Sequence, residues 1–174
     1  MGSKRLPKKS LFKLGRERVI ERCYKSASYH KVFDKVIVAT STSKDDDELC
    51  DYLNYNNFLF FRGDLENVLS RFQDISVENN AKNIVRLTGD NPLIDPFIIR
   101  DVFKFHEYNN FDYTSNIINR NFPRGNDVEC INAKVLNSLK YEDLKKEDKE
   151  HVTLFIRKNI DKYNHSRRNS AMIY

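Results

Sequence analysis

At 174 residues, 40% hydrophobic and 32% charged, the chain has material for one domain with a sizeable core and too little for two. No apolar run approaches bilayer-spanning length, and the opening Met-Gly-Ser-Lys-Arg-Leu-Pro-Lys-Lys lacks the apolar centre of a secretory signal, so a cytoplasmic protein without membrane contact is expected. A net charge of +5 and a pI near 9.0 point to a polyanionic partner, either a nucleoside triphosphate or a nucleic acid, while three widely spaced cysteines argue against a disulfide framework or a paired-cysteine metal site.

Residues 1–14 are basic and broken by Gly2 and Pro7, and two readings stand. The stretch is a disordered tail, or its backbone N–H groups and cations wrap an anion. From Glu17, the spacing of Val19, Ile20, Cys23 and Ala27 predicts an amphipathic helix. Lys-Val-Ile-Val-Ala-Thr-Ser, 35–41, reads as a strand buried on both faces. A helix start follows at Ser43, and Asp45, Asp46 and Asp47 suit its positive end better than a metal. A second strand is expected over 58–61. Asp64 then caps a helix whose Leu65, Val68, Leu69, Phe72 and Ile75 form a core stripe.

The run Ile-Val-Arg-Leu-Thr-Gly-Asp-Asn-Pro-Leu-Ile-Asp-Pro, 84–96, is the centre of the chain. It reads as a strand that breaks at Gly89, followed by a helix capped by Asp95 with Pro96 at its first position. Asp90 therefore stands just past the carboxyl end of a strand, where open α/β sheets bind ligands and where a carboxylate can hold hydrated Mg²⁺ beside a phosphate. Gly89-Asp90-Asn91-Pro92 can equally be only a turn. On the next helix His106 lies on the apolar face and is expected to pack rather than ligate. A loop over 119–126 leads to a strand over 127–131, with Asp127 and Glu129 on one face. These carboxylates give a second metal contact, or the strand is an edge with a solvated face. Two helices are expected near 132–141 and 146–159, with His151 in the second. Strands alternating with helices predict an α/β fold with a mostly parallel sheet.

With these motifs placed, the chain resembles the cytidylyltransferases of the spore-coat polysaccharide biosynthesis type, relatives of the acylneuraminate and 3-deoxy-manno-octulosonate cytidylyltransferases. The matching blocks are Gly-Ser-Lys-Arg-Leu-Pro-Lys-Lys at 2–9, Val-Ala-Thr-Ser-Thr at 38–42, Phe-Arg-Gly-Asp at 61–64 with Val-Leu-Ser-Arg-Phe at 68–72, the 86–96 run, Phe-Pro-Arg-Gly-Asn-Asp-Val-Glu at 122–129 and Glu-His-Val-Thr at 150–153. The resemblance implies a nucleotide-diphospho-sugar transferase, Rossmann-like fold and transfer of CMP from CTP to a sugar or sugar acid, with pyrophosphate released and Mg²⁺ as cofactor. It assigns Gly2, Ser3, Ala39, Thr40, Ser41 and Arg71 to the nucleotide, and Arg5, Lys9 and Asp90 to catalysis. Asp90 and Asp127 would hold the metal, and Arg62, Arg124, Glu129 and His151 would face the acceptor. Relatives tend to dimerise, so a homodimer is expected.

The family also has a strand ahead of the Gly-Ser block. Here the sequence starts at Met1-Gly2, so the expected single domain over 1–174 lacks its first, central strand, leaves the edges of two neighbours exposed, and is shortened at its C-terminus. Lys8 stands where the family commonly has Gly. The competing readings are a sugar-nucleotide glycosyltransferase, which would want an Asp-x-Asp motif that Gly-Asp-Asn-Pro does not supply, and a catalytically dead remnant. A nucleic-acid module would want aromatics interleaved with the basic residues, and 4–18 contains only Phe12.

Overall fold

The first helix begins two residues later than its apolar spacing suggests, because Glu17 and Arg18 are drawn into a short hairpin, β1 (Lys13–Leu14) and β2 (Glu17–Arg18), turned at Gly15 with φ +68°. The computed structural model describes residues 8–118, 120 and 122–166, so Gly2, Ser3 and Arg5 lie outside the described residues. After the hairpin come α1 (Val19–Ser28), β3 (Val38–Ser41), α2 (Asp47–Tyr55), β4 (Phe60–Gly63), α3 (Val68–Glu78), β5 (Asn83–Arg86) and α4 (Pro96–Asn109). The chain continues through β6 (Tyr113–Ser115), β7 (Glu129–Asn132), α5 (Ala133–Asn137), α6 (Lys146–Glu150) and α7 (Leu154–Lys158).

β3 and β4 pair in parallel, with Ala39 opposite Phe61 and Ser41 opposite Gly63. The other strands form a separate sheet in the order β5-β7-β6, with β7 antiparallel to both neighbours, so β5 and β6 run the same way. Helices cover both faces. On one, Ile20 of α1 and Leu49 and Leu53 of α2 pack with Val38 and Phe60, while Ile99, Val102 and Phe103 of α4 pack with Val128, Cys130, Val85 and Leu87. On the other, Leu69 of α3 joins Tyr113, Ile131, Leu136, Val152 and Ile156, with Ile84 against them. Each such fully buried side chain contributes roughly 1.5–3 kcal/mol. Among the described residues, no strand pairs with the remaining edge of β3 or of β5, so the sheet lies in two parts bridged by helices.

The α/β class is as expected, and Cys23, Cys50 and Cys130 are buried free thiols. β3 starts at Val38 rather than Lys35, β7 starts at Glu129 so that Asp127 precedes it, and the helix expected near 132–141 ends at Asn137; three further expectations are corrected. The strand expected as an edge with a solvated face is central: β7 lies between β5 and β6, and Glu129 is buried because Arg86 meets its charge from across the ladder. The helix after β4 is capped by Asn67, whose side chain accepts the Ser70 N–H; Asp64 takes the Glu66 and Asn67 N–H groups one turn earlier, which leaves Leu65 exposed rather than in the stripe. The final helix is interrupted between α6 and α7, where the buried Val152 adopts φ +55° and the Thr153 N–H bonds the His151 carbonyl at 2.5 Å. A β-branched residue in the left-handed region cannot continue a helix.

Candidate active site

Asp90 stands where its sequence context predicts, in the turn after β5. The Asn91 amide donates to Thr88 Oγ1 at 2.6 Å, and the Asn91 carbonyl accepts from the Ile94 N–H at 3.2 Å. Gly89 lies close under α1, since a Cβ there would sit 3.0 Å from Ile20 Cδ1 and would push that side-chain tip aside. Arg22 Nε donates to the Pro92 carbonyl at 3.2 Å, a second tie from α1 to this turn. The Asp90 carboxylate forms an ion pair with the Lys9 ammonium, and both side chains are about one-third exposed. Burial works against the charged carboxyl. The Lys9 hydrogen bond and charge, with a bond from Thr88, outweigh it and hold Asp90 below the usual carboxylate range. At neutral pH the group is an anion at the mouth of the sheet.

The loop 122–127 is tied to this turn. Asp95, which caps α4 by accepting the Phe97 N–H at 2.8 Å, donates its own N–H to Asn126 Oδ1 at 2.9 Å. Asn116 holds the same loop from the other side, through the Asn126 carbonyl at 2.6 Å and the Val128 N–H at 2.9 Å. The β5–β7 ladder ends at Arg86 opposite Glu129, with Asp90 four residues past Arg86 and Asp127 two residues ahead of Glu129. Both candidate metal carboxylates thus come to one end of the sheet. Asp127 is clamped by Arg120, with Nη1 at 2.5 Å from Oδ1 and Nη2 at 3.2 Å from Oδ2. Arg124 is exposed beside Gly125, which turns the loop with φ +101°.

Glu129 occupies a different setting. Its carboxylate is 2% exposed and pairs with Arg86, accepts the Tyr113 hydroxyl at 2.6 Å and the Thr153 hydroxyl at 2.7 Å, and has Arg157 Nε at 3.8 Å. The interrupted turn at Val152 delivers Thr153 to this carboxylate. His151, the preceding residue, is exposed at the end of α6.

At the carboxyl end of β3, Thr40 and Ser41 face Asp46 rather than open space. Asp46 Oδ2 accepts the Thr40 hydroxyl at 2.7 Å, the Ser41 N–H at 2.9 Å and the Ser41 hydroxyl at 2.6 Å. Burial opposes its charge, yet these bonds are among those that keep Asp46 well below the normal range. Arg62 closes the same turn, with Nε and Nη2 donating to the Ser41 and Ser43 carbonyls at 2.9 Å each. Arg71 is buried and donates to the Asp64 and Leu65 carbonyls at 2.6 and 2.9 Å. Gly63 makes room for it, since a Cβ there would meet Arg71 Cγ at 2.8 Å. Ala39 precedes this turn, half-buried.

Among the described residues, no three His, Cys, Asp or Glu side chains gather into a metal cage. An ionised carboxylate or two at the sheet mouth fit a Mg²⁺ that brings water and phosphate oxygens as its other ligands. Sequence reasoning missed Asp46, Arg120, Arg86, Tyr113 and Thr153 as parts of this neighbourhood. Asp46 had a signal, an acid close to Ser and Thr at a strand end, and Arg86 and Thr153 stood inside blocks that carry the resemblance.

Three comparisons place this architecture. The spore coat polysaccharide biosynthesis protein SpsF of Bacillus subtilis (strain 168) is 38% identical over 162 residues, 90% of this chain and 66% of SpsF. The chain therefore spans just under two thirds of that relative. A cytidylyltransferase from Leptospira borgpetersenii superposes with a TM-score of 0.88 at 28% identity, over 97% of this chain and 74% of that one. CMP:2-keto-3-deoxy-manno-octonic acid synthetase, whose structure is a complex with CTP, shares the fold with a TM-score of 0.68 at 15% identity, over 95% and 85% of the two chains. The cytidylyltransferase family model matches residues 1–174 throughout, and the chain belongs to the cytidylyltransferase family.

Proposed function

We propose that the chain transfers a cytidylyl group from CTP to a sugar or sugar acid, with Mg²⁺ as cofactor, in cell-surface or spore-coat polysaccharide biosynthesis. The observation that carries this reading is the ionised Asp90, paired with Lys9 at the carboxyl end of β5, in a chain of the cytidylyltransferase family. An acceptor hydroxyl attacks the α-phosphorus and pyrophosphate leaves. Positioning and charge stabilisation supply the acceleration. Lys9 and the basic start, with Arg5 and the backbone of Gly2 and Ser3, take the triphosphate. Asp90 and Asp127 would hold the Mg²⁺, which neutralises phosphate charge and orients the leaving group. The β3–α2 turn bearing Ala39, Thr40 and Ser41 takes the nucleoside, kept in shape by Asp46 and Arg62. Arg71 stiffens the next turn from within. Arg124, exposed in the loop, and His151, exposed at the end of α6, face the acceptor, and Glu129 holds the strand that follows the loop. The protein works as a cytoplasmic homodimer.

The test is release of pyrophosphate from CTP with Mg²⁺ and a panel of sugars and sugar acids, alongside calorimetric CTP binding. Binding that needs Mg²⁺ and is lost in Asp90→Asn supports the proposal. No binding of CTP to the intact chain under either condition overturns it.

A further inference from the structure

Each carboxylate proposed for the metal already carries a cation supplied by this chain. Lys9 reaches Asp90 from a segment 81 residues away, and Arg120 covers both oxygens of Asp127 from 7 residues earlier in the chain. The remaining carboxylates of this neighbourhood are engaged inside the fold, Glu129 with Arg86 and Asp46 with the β3 turn. Lys9 and Arg120 differ from Arg86 in where they stand. Their side chains are 38% and 33% exposed, and each is bonded to a carboxylate of similar exposure. Exposed pairs of this kind exchange partners at small cost, up to about a factor of five in affinity, whereas a buried pair does not.

From this arrangement we infer that Lys9 and Arg120 are place-holding cations: they neutralise and orient Asp90 and Asp127 in the free protein and move to the triphosphate when a metal–nucleotide complex takes their carboxylates. The inference rests on the proposed nucleotide site. Its physical content is an exchange of ion pairs. A divalent cation arriving alone must displace an ammonium or guanidinium into water without giving it a new partner, and a triphosphate arriving alone must pull the same group off its carboxylate. When both arrive together each displaced charge finds a partner, phosphate for the cation and metal for the carboxylate. Metal and nucleotide therefore bind cooperatively, each raising the other's affinity by the same factor. The geometry also gives Arg120, which touches nothing proposed for substrate in the free protein, a positioning role at Asp127.

The test uses the full chain with Mn²⁺ as the spectroscopic stand-in for Mg²⁺, free Mn²⁺ being counted by electron paramagnetic resonance and CTP binding measured by calorimetry, separately and together. In the wild type, Mn²⁺ alone should bind weakly and each ligand should strengthen the other. Lys9→Met should tighten Mn²⁺ binding without nucleotide by roughly five- to tenfold, from losing both the competing pair and a nearby positive charge. It should weaken CTP binding in the presence of Mn²⁺ by about tenfold. Arg120→Met should move both numbers the same way, and Lys9→Arg should restore the wild-type pattern. Far-UV circular dichroism and melting separate these effects from misfolding, and Asp90→Asn in the Lys9→Met background should erase the gain in Mn²⁺ affinity. CTP binding with Mn²⁺-only affinity unchanged or weakened in both Met variants would overturn the place-holding role. Absence of CTP binding in every condition overturns the cytidylyl-transfer reading instead, and the Mn²⁺-only arm then still decides the role of the two cations.

Discussion

Replacing Glu129 with Gln removes one charge from the most enclosed ionic cluster of the fold and changes almost nothing in shape. In the wild type the carboxylate accepts from Arg86, Tyr113 and Thr153 while 2% exposed, with Arg157 close by. Gln offers one acceptor oxygen where two were used, and its NH₂ turns a donor toward donors. Breaking a buried pair by removing one partner costs about 3–5 kcal/mol. Arg86 and Arg157 keep 20% and 32% of their side chains in water, which relieves part of that cost. The expected loss is therefore about 2–4 kcal/mol, or a fall in melting temperature of about 5–15 °C for a chain of this size. Urea and thermal unfolding followed by far-UV circular dichroism measure it, and single Tyr113→Phe and Thr153→Val variants should each cost about 1 kcal/mol. If Glu129→Gln melts within a degree or two of the wild type while raising KM for the acceptor, the carboxylate serves substrate rather than framework, and the reasoning is refuted.

Three further outcomes are expected. His106 is fully buried and bonded to Thr114 and Asn83, and burial pushes its pKa down to about 4. The unfolded chain then binds a proton that the folded one refuses, so stability should fall by about 3 kcal/mol as pH drops from 6.5 to 4 and level off below; His106→Gln should flatten the urea midpoint over that window. Asp46→Asn should cost about 1–2 kcal/mol and weaken CTP binding more than its melting shift accounts for, because it loosens the turn bearing Thr40 and Ser41; equal CTP affinity would contradict that link. Val152→Gly should be no less stable than Val152→Ala, reversing the usual glycine penalty, since release from the left-handed region, about 1–2 kcal/mol, offsets the additional methyl; a clearly less stable Gly variant would contradict it.

Where structure follows from chemistry within a few residues, the chain was readable in advance. Asp95 caps α4 and Pro96 starts it because both effects act inside one turn, and the same locality put Asp90 past a strand end. Helix stripes such as Ile20, Cys23 and Ala27 were legible from spacing. Pairing was not. Alternation over 127–131 gives an identical pattern for a solvated face and for a face whose acid is met by an arginine 43 residues away, and only the partner decides. The break at Val152 has no Gly or Pro to announce it, and packing imposes it. In the site, Arg62 and Arg71 carry the residue type a phosphate site wants, yet their guanidinium groups bond backbone carbonyls, with Asp47 also paired to Arg62, a choice set by loop geometry rather than by sequence.

The parted sheet makes the site more than a place where chemistry happens. Thr40, Ser41 and Lys9 belong with the β3–β4 portion, while Asp90 and Asp127 belong with the β5-β7-β6 portion, and no ladder of backbone bonds joins the two among the described residues. A ligand that grips Lys9 and Asp90 together is then a clasp across a seam. Without it, amides of β3 and β5 should exchange with solvent in separate openings. With it, they should open as one unit, so bound nucleotide would appear in hydrogen exchange as a merging of two protection levels into one.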